Sequence, residues 1–315
     1  MTDRARVFVV TGDDVLRFSL GDATVRESGS LLYGVGARCV AVDPHDPQRV
    51  YVGTFDNGLF SSEEGGLTWR ADEEGLGYRR VLSLAVSPSH SESGVSVVYA
   101  GTEPSNLYRS EDAGHSWRRI PALRELPSEP RWSFPPRPWT DHVRTIALHP
   151  TDPGWLAVGI ELGGVMRSLD GGASWIDHNL QAHSDAHRLL THPLAPERVY
   201  EAAGQGIARS EDRGETWSKL EHGLDRHYAW ARDRPGRPGP LVRGGQSLPV
   251  RRPRRRRRGG TAVALAGRQL ERSRHLGRLA GAPADALRAD PAARPAERTS
   301  RRPARRDAAA HQRRW

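Results

Sequence analysis

The sequence predicts an all-β protein, a β-propeller of four-stranded blades, and three observations carry that reading. An eight-residue box recurs four times, at Ser62–Trp69, Ser110–Trp117, Ser168–Trp175 and Ser210–Trp217. Every copy reads Ser-x-Asp/Glu-x-Gly-x-Ser/Thr-Trp, and the starts are 48, 58 and 42 residues apart, near the period of a propeller blade. Each box also follows the same series of short β-type runs. The chain, at 315 residues, is long enough for one propeller to bury a sizeable core.

The elements follow in order. Val7-Phe8-Val9-Val10-Thr11-Gly12 and Val15-Leu16-Arg17-Phe18 pattern as strands of a boxless blade ahead of the first box. Each later unit opens with an apolar run ending in proline: Val40–Pro44, Leu84–Pro88, Ile146–Pro150 and Leu189–Pro193. A second run follows, as in Val50-Tyr51-Val52-Gly53-Thr54 and Val98-Tyr99-Ala100-Gly101-Thr102. A third, such as Gly58–Ser61 or Asn106–Arg109, leads into the box, and a last strand leaves it.

The box has a mechanical reading. Gly66, Gly114, Gly172 and Gly214 permit positive φ in a tight turn. The side chains of Asp112, Asp170 and Asp212, with the hydroxyls of Ser62, Ser110, Ser168 and Ser210, can satisfy backbone N–H groups inside it. Glu64 replaces Asp in the first copy, and a looser turn is expected there. Trp69, Trp117, Trp175 and Trp217 each open a strand and offer apolar surface for packing between blades.

These boxes and runs resemble the Asp-box (BNR-repeat) β-propellers of the sialidase-like, YVTN-BNR-like repeat superfamily, over about residues 7–231. That group holds sialidases, β-glucan-cleaving glycosidases, sorting-receptor ectodomains and photosystem assembly factors. The resemblance therefore implies the fold and leaves the function open. About five blades are expected in 1–231, an incomplete six- or seven-bladed ring.

Charge divides the chain. Residues 1–231 hold 23 basic and 32 acidic residues, net −9, whereas 232–315 hold 24 Arg and 6 acids, net +18, so the overall +9 describes neither part. The second segment lacks Lys, and its only aromatic residue is Trp315. Its run Arg251-Arg252-Pro253-Arg254-Arg255-Arg256-Arg257-Arg258 fits a nucleic-acid arm. The same Arg/Ala/Gly/Pro bias arises when GC-rich coding DNA is read out of frame. Shifting 232–244 by one base permits Ala-Ile-Asp-Pro-x-Asp-Pro-x-Arg-Leu-Tyr-Val, the pattern of residues 41–52. The expectation is a tail outside the blades, out of frame or disordered, with the first and last sheet edges left open.

Function classes narrow further. One cysteine, Cys39, excludes an intramolecular disulfide framework and a Cys-based zinc cluster. The amino terminus carries no secretory signal pattern, and no stretch approaches 18 apolar residues, so a cytoplasmic protein away from the membrane is expected.

Candidate binding residues come from aligning units on the proline. One slot holds Gly36, Arg80, His142, Asp185 and His227; a second holds Arg38, Leu82, Arg144, His187 and Ala229. Both precede the strand expected to line the central channel, so they converge on one rim. The alternative is a set of solvated loop ends. Arg80, His142, Arg144, Asp185, His187 and His227 favour an anionic ligand, strengthened as His protonates. No pair sits at tight metal spacing, so no metal or cofactor is expected. The long insertion Pro121–Asp141 brings Trp132 and Trp139, suited to stacking on a sugar or peptide over the mouth, or else folded on the propeller edge.

A sialidase needs an Arg cluster, a Tyr nucleophile with its Glu, and an acid; Arg119-Ile120-Pro121 follows a box and takes no such role. A glucanase needs two facing carboxylates, and Asp185 is the one rim acid the slots place. The sequence thus points to a non-enzymatic binding or scaffold propeller for a protein or glycan ligand. A sialidase-like glycoside hydrolase is the alternative, and nucleic-acid binding depends on the Arg-rich tail.

Overall fold

The computed structural model describes residues 6–220, except 21–24, 31, 73 and 93, together with strands at 228–232, 241–245 and 262–266. It is a β-propeller of antiparallel sheets. Blade 2 joins β4 (Ala37–Val42), β5 (Val50–Thr54), β6 (Leu59–Ser62) and β7 (Arg70–Asp72) in that spatial order. Blade 3 repeats the order with β8 (Arg80–Glu92), β9 (Val95–Glu103), β10 (Leu107–Ser110) and β11 (Arg118–Ile120). Blade 5 repeats it with β15 (Ala186–His192), β16 (Ala195–Ala203), β17 (Gly206–Ser210) and β18 (Ser218–Leu220). Blade 4 has β12 (Val143–Leu148), β13 (Leu156–Ile160) and β14 (Gly164–Ser168), with a lone bridge from Arg167 to Ile176 where the other blades carry a fourth strand.

Blade 1 contains the boxless pair, β1 (Arg6–Val10) and β2 (Val15–Leu20), with β3 (Val25–Ser30) outside them. Its innermost strand is β21 (Ala262–Ala266), which pairs antiparallel with β1 from Arg6↔Ala266 to Val10↔Ala262. The edge of β1 that the sequence reading left open is therefore covered, by a short apolar run inside the Arg-rich segment. β19 (Tyr228–Arg232) and β20 (Leu241–Gly245) form a further two-stranded sheet beside blade 5. No described helix is long and apolar enough to cross a membrane.

Burial explains the run types. The second strands are covered on both faces by neighbouring blades, so β5 and β13 are buried at every residue and read as continuous apolar runs. The inner strand β12 alternates, with Val143, Thr145 and Ala147 buried between half-buried neighbours. The glycine of the second strand is a contact requirement. A Cβ on Gly53 would lie 2.6 Å from Cys39 Sγ and from the Val81 carbonyl oxygen, and one on Gly101 would lie 2.3 Å from Ser83 Oγ and 2.5 Å from Val143. The same inner-strand slot stitches consecutive blades. Ser83 Oγ donates to the Val143 carbonyl at 2.8 Å, and Thr145 Oγ1 accepts the Leu189 N–H at 3.1 Å.

Side chains close the box turns. Gly66, Gly114, Gly172 and Gly214 all have φ between 80° and 97°. In the three Asp copies the Ser Oγ accepts the N–H of the box glycine at 2.7–2.8 Å and donates to the carboxylate. The carboxylate also accepts the backbone N–H of Ser116, Ser174 or Thr216 at 2.8–2.9 Å. In the first copy Ser62 keeps its bond to the Gly66 N–H, and Glu64 accepts from Thr68 Oγ1 at 2.8 Å. Each box Trp packs on the preceding blade: Trp117 on Tyr51 and Leu59, and Trp217 on Trp155, Ala157 and Val165. Trp69 and Trp175 lie against blades 1 and 3 in the same manner.

Candidate functional site

The rim is built by one backbone device repeated four times. The register between first and second strand slips by one residue between Ala37 and Cys39, Val81 and Ser83, Val143 and Thr145, and Ala186 and Arg188. The extra residue at each β-bulge is Arg38, Leu82, Arg144 or His187, the second sequence slot. A bulge re-aims the side chain it carries, which makes this edge suited to recognition. The first slot, Gly36, Arg80, His142 and Asp185, sits two residues earlier. His227 lies outside the described residues.

A third slot completes the rim, and sequence reasoning missed it. The residue ending or following each second strand, Phe55, Glu103, Glu161 or Gly204, faces the first slot across the hairpin. Arg80 pairs with Glu103 in register, while the Phe55 N–H donates to the Gly36 carbonyl and the Gly204 N–H to that of Asp185, both at 2.9 Å. Aligning the units on the second strand would have exposed the two glutamates; aligning on the proline did not.

In blades 2 and 3 the rim is an arginine–aromatic patch. The guanidinium carbons of Arg38, Arg80 and Arg137 lie 4.9, 4.7 and 5.2 Å from the centre of the Phe55 ring, and that of Arg137 lies 4.7 Å from the Phe134 ring. Glu103, 2% exposed, anchors two of these cations. Arg80 Nη1 reaches its Oε1 at 3.1 Å, and Arg137 makes a two-pronged contact through Nε (2.8 Å) and Nη2 (2.5 Å). Arg80 Nε also donates to Asp56 Oδ1 at 2.9 Å. This bond to the Asp56 carboxylate holds the Arg80 guanidinium even more firmly protonated than usual. Three cations against two carboxylates leave this patch with one net positive charge.

In blades 4 and 5 the rim is a histidine–carboxylate group. His142, 1% exposed, stacks edge-on against Phe134 with centroids 4.8 Å apart, and its Nε2 lies 3.1 Å from Glu161 Oε2. Arg144 Nε is 3.6 Å from the same oxygen. His187 Nε2 lies 3.3 Å from Asp185 Oδ1. Burial opposes the charge on Glu161, but His142, Arg144 and His187 outweigh it and hold its carboxyl below the usual range. Donor atoms of Glu161, Asp185 and His187 lie within 4.8 Å of one another. Sequence spacing offered no such set, because its members come from adjacent blades.

Of the two readings of the insertion, Trp132 follows the one in which the loop folds its aromatics onto the propeller. That residue is 8% exposed, packed in the core with Leu123, Leu126 and Met166, and its Nε1 donates to Ser128 Oγ at 2.9 Å. Two 3-10 turns, Pro121–Glu125 and Glu129–Arg131, fold the loop back so that its apolar residues cover the blade 3–4 interface. Trp139 stays 80% exposed. The insertion's contribution to the rim is instead Phe134 and Arg137.

Two features lie off the rim. Glu201 is fully buried at a second-strand position occupied by Val52, Ala100 and Val158 in the other blades, and burial raises its carboxyl to about 8. Its Oε2 accepts the His183 N–H at 2.8 Å. A cleft of about 190 Å³ between Trp155 and Trp217 is lined by Arg167, Arg213 and Glu215 and shares no residue with the rim.

No protein-family model and no curated protein matches the chain. Solved structures that resemble it include the GH74 xyloglucanase from Xanthomonas campestris (19% identity, TM-score 0.49, covering 67% of this chain and 35% of that one). Others are YCF48 bound to D1 peptide (18%, 0.44, 61% and 56%) and Chaetomium thermophilum Sqt1 bound to the N-terminus of ribosomal protein L10 (15%, 0.49, 68% and 57%). The chain thus spans about a third of the xyloglucanase and just over half of the other two.

Proposed function

We propose that this chain is a non-enzymatic binding propeller of the Asp-box type that holds an acidic ligand, a carboxylate-bearing glycan or an acidic protein segment, on the rim of blades 2 and 3. The observation that carries the reading is three guanidinium groups gathered on the Phe55 ring. Each guanidinium has five N–H donors in a fixed fork. The bonds of Arg80 use Nε and Nη1 and those of Arg137 use Nε and Nη2, so Arg80 Nη2 and Arg137 Nη1 remain for a ligand among the described residues. Stacking and the buried Glu103 fix the forks in advance, which lowers the entropy lost on binding.

The test is a titration of the full chain with acidic sugars and with a glutamate-rich peptide at several salt concentrations. Binding that weakens with salt, and falls about tenfold in Phe55→Ala and Arg137→Ala, supports the reading. Affinity unchanged in both variants would overturn it. The alternative, a sialidase-like glycoside hydrolase, draws on the nearness of the Glu161 and Asp185 carboxylates. Glu161, held below the usual carboxylate range, fits the ionised member of such a pair and not its general acid. Turnover of an aryl glycoside that disappears in Glu161→Gln would favour the enzyme.

A further inference from the structure

We infer that the rim of blades 4 and 5 is a binding site for a divalent first-row transition ion, with His142, Glu161, Asp185 and His187 as its donors. This goes beyond the ligand-binding reading and rests on different residues. Two imidazole nitrogens with two carboxylates are a donor set that suits zinc and its neighbours.

Geometry supports the assignment. The donor atoms of Glu161, Asp185 and His187 fall within 4.8 Å of one another, and His142 Nε2 adds a fourth 3.1 Å from Glu161 Oε2. Ligands on a tetrahedral zinc ion are about 3.4 Å apart, so Glu161, Asp185 and His187 need to draw in by up to about 1.4 Å, with His142 joining from the Glu161 side. His142 is the independent pointer. Its side chain is 1% exposed, yet among the described residues neither ring nitrogen has a partner in hydrogen-bond geometry, and Nε2 meets Glu161 only as a 3.1 Å ion-pair contact. An imidazole buried without a hydrogen bond and aimed at a carboxylate is costly as it stands and is satisfied by a shared ion.

The backbone makes room for the other carboxylate. A Cβ on Gly204 would lie 1.8 Å from Asp185 Oδ2 and 2.8 Å from its Cγ. Glycine at this slot, where the other blades carry Phe55, Glu103 and Glu161, lets Asp185 lie flat against the strand end beside His187.

Arg144 gives the inference its sharpest test. Its guanidinium sits 3.6 Å from Glu161 and repels an incoming cation. Removing it tightens a metal site and weakens an anion site, so one substitution separates the two by sign. The experiment is calorimetric titration of the full, untagged chain, stripped with chelator, using Zn²⁺, followed by Co²⁺ and its visible absorption. Expected are saturable one-to-one binding, about 100-fold weaker in His187→Ala and Glu161→Gln, and about fivefold tighter in Arg144→Ala. Gly204→Ala keeps all four donors, and displacement of Asp185 should still weaken binding. Thermal melting without metal checks that each variant is folded. If a ligand variant fails to fold, intense four-coordinate Co²⁺ bands in the parent decide the matter. No saturable binding by the parent, unchanged affinity in folded ligand variants, or weaker binding in Arg144→Ala would overturn the inference. Because Phe55 and Arg137 lie outside this set, loss of acidic-ligand binding in their variants is read separately.

Discussion

The outer box turns and the inner rim are both repeated in each boxed blade, yet they vary in opposite ways. At the outer edge the residues recur and so do their bonds, to within about a tenth of an ångström across Asp112, Asp170 and Asp212. At the inner edge the bulge recurs, but its residue changes from Arg38 to Leu82, Arg144 and His187. A turn has one solution that satisfies its donors, so its side chains are fixed by the fold. A bulge fixes only where a side chain stands, and leaves its chemistry open to function. Substitutions at the first edge should therefore change stability alone, and those at the second should change binding as well.

The strongest test lies just beneath the rim, at Glu201. Below its ordinary value of 4.5 the carboxyl is protonated whether folded or unfolded; between 4.5 and about 8 only the unfolded chain ionises, so stability falls as pH rises through that window. The loss by pH 8 should be about 3 kcal/mol, below the full conversion of the shift because water entry relieves part of it. Glu201→Gln keeps an acceptor for the His183 N–H and should flatten the profile. Denaturant melts from pH 5 to 9 measure this. A parent whose stability does not fall over that range would remove the argument.

Next is the anchor under the arginines. Glu103→Gln keeps the volume but takes the charge from beneath Arg80 and Arg137, whose side chains are 37% and 27% exposed. That exposure limits the cost to about 2 kcal/mol, and acidic-ligand affinity should change together with the melting temperature. A stability loss with affinity intact would place Glu103 with the box turns rather than the rim.

The two edges were unequally legible in the sequence. The box was legible as a turn whose Asp and Ser side chains can satisfy its N–H groups, because Asp, Ser and Gly act within eight residues and local spacing fixes local geometry. The slots Arg80, His142, Arg144, Asp185 and His187 were also placed on one edge by repeat alignment. What stayed hidden was pairing across the hairpin and between blades. Glu103 and Glu161 are distant in sequence from the cations they hold, so neither charge counting nor proline alignment showed that the rim is largely neutralised. The choice between the two readings of Trp132 stayed open because aromatic content in a loop does not say which rings fold inward. The covering of β1 by Ala262–Ala266 was hidden by composition, since five apolar residues are outweighed by the arginines around them.

At the box turn itself, Asp170→Ala should cost about 1–2 kcal/mol by leaving the Ser174 N–H and two hydroxyls unpaired. The bonds from Ser174 hold the Asp170 carboxyl down at about 2, against 3.8 unfolded, so their contribution is present above about pH 4 and fades as pH falls toward 2. Acid melts of parent and variant should converge in that range. Ligand and metal affinities should not move, and a large affinity loss without a change in melting temperature would break the division between the edges.

The smallest expected effect separates two copies of the turn. Its fourth position is left-handed in every box, and holds Gly65 and Gly171 in two of them but Ala113 (φ 60°) and Arg213 (φ 57°) in the others. A Cβ in this region costs about 1–2 kcal/mol, and glycine returns part of that gain as unfolded-state entropy. Ala113→Gly should thus stabilise the chain by about 0.5 kcal/mol. Arg213 has more to lose, since its guanidinium holds Glu197 through Nε and Nη2, both at 2.6 Å, and Asp152 through Nη1 at 2.9 Å. These contacts are largely solvent-exposed and worth little each, so Arg213→Gly should come out close to neutral. Measured side by side in denaturant, a gain for the first and none for the second would show that the fold sets the conformation of this turn and tolerates its residue. A loss at Ala113 would show that the alanine methyl, 5% exposed in its blade, contributes packing that outweighs the strain.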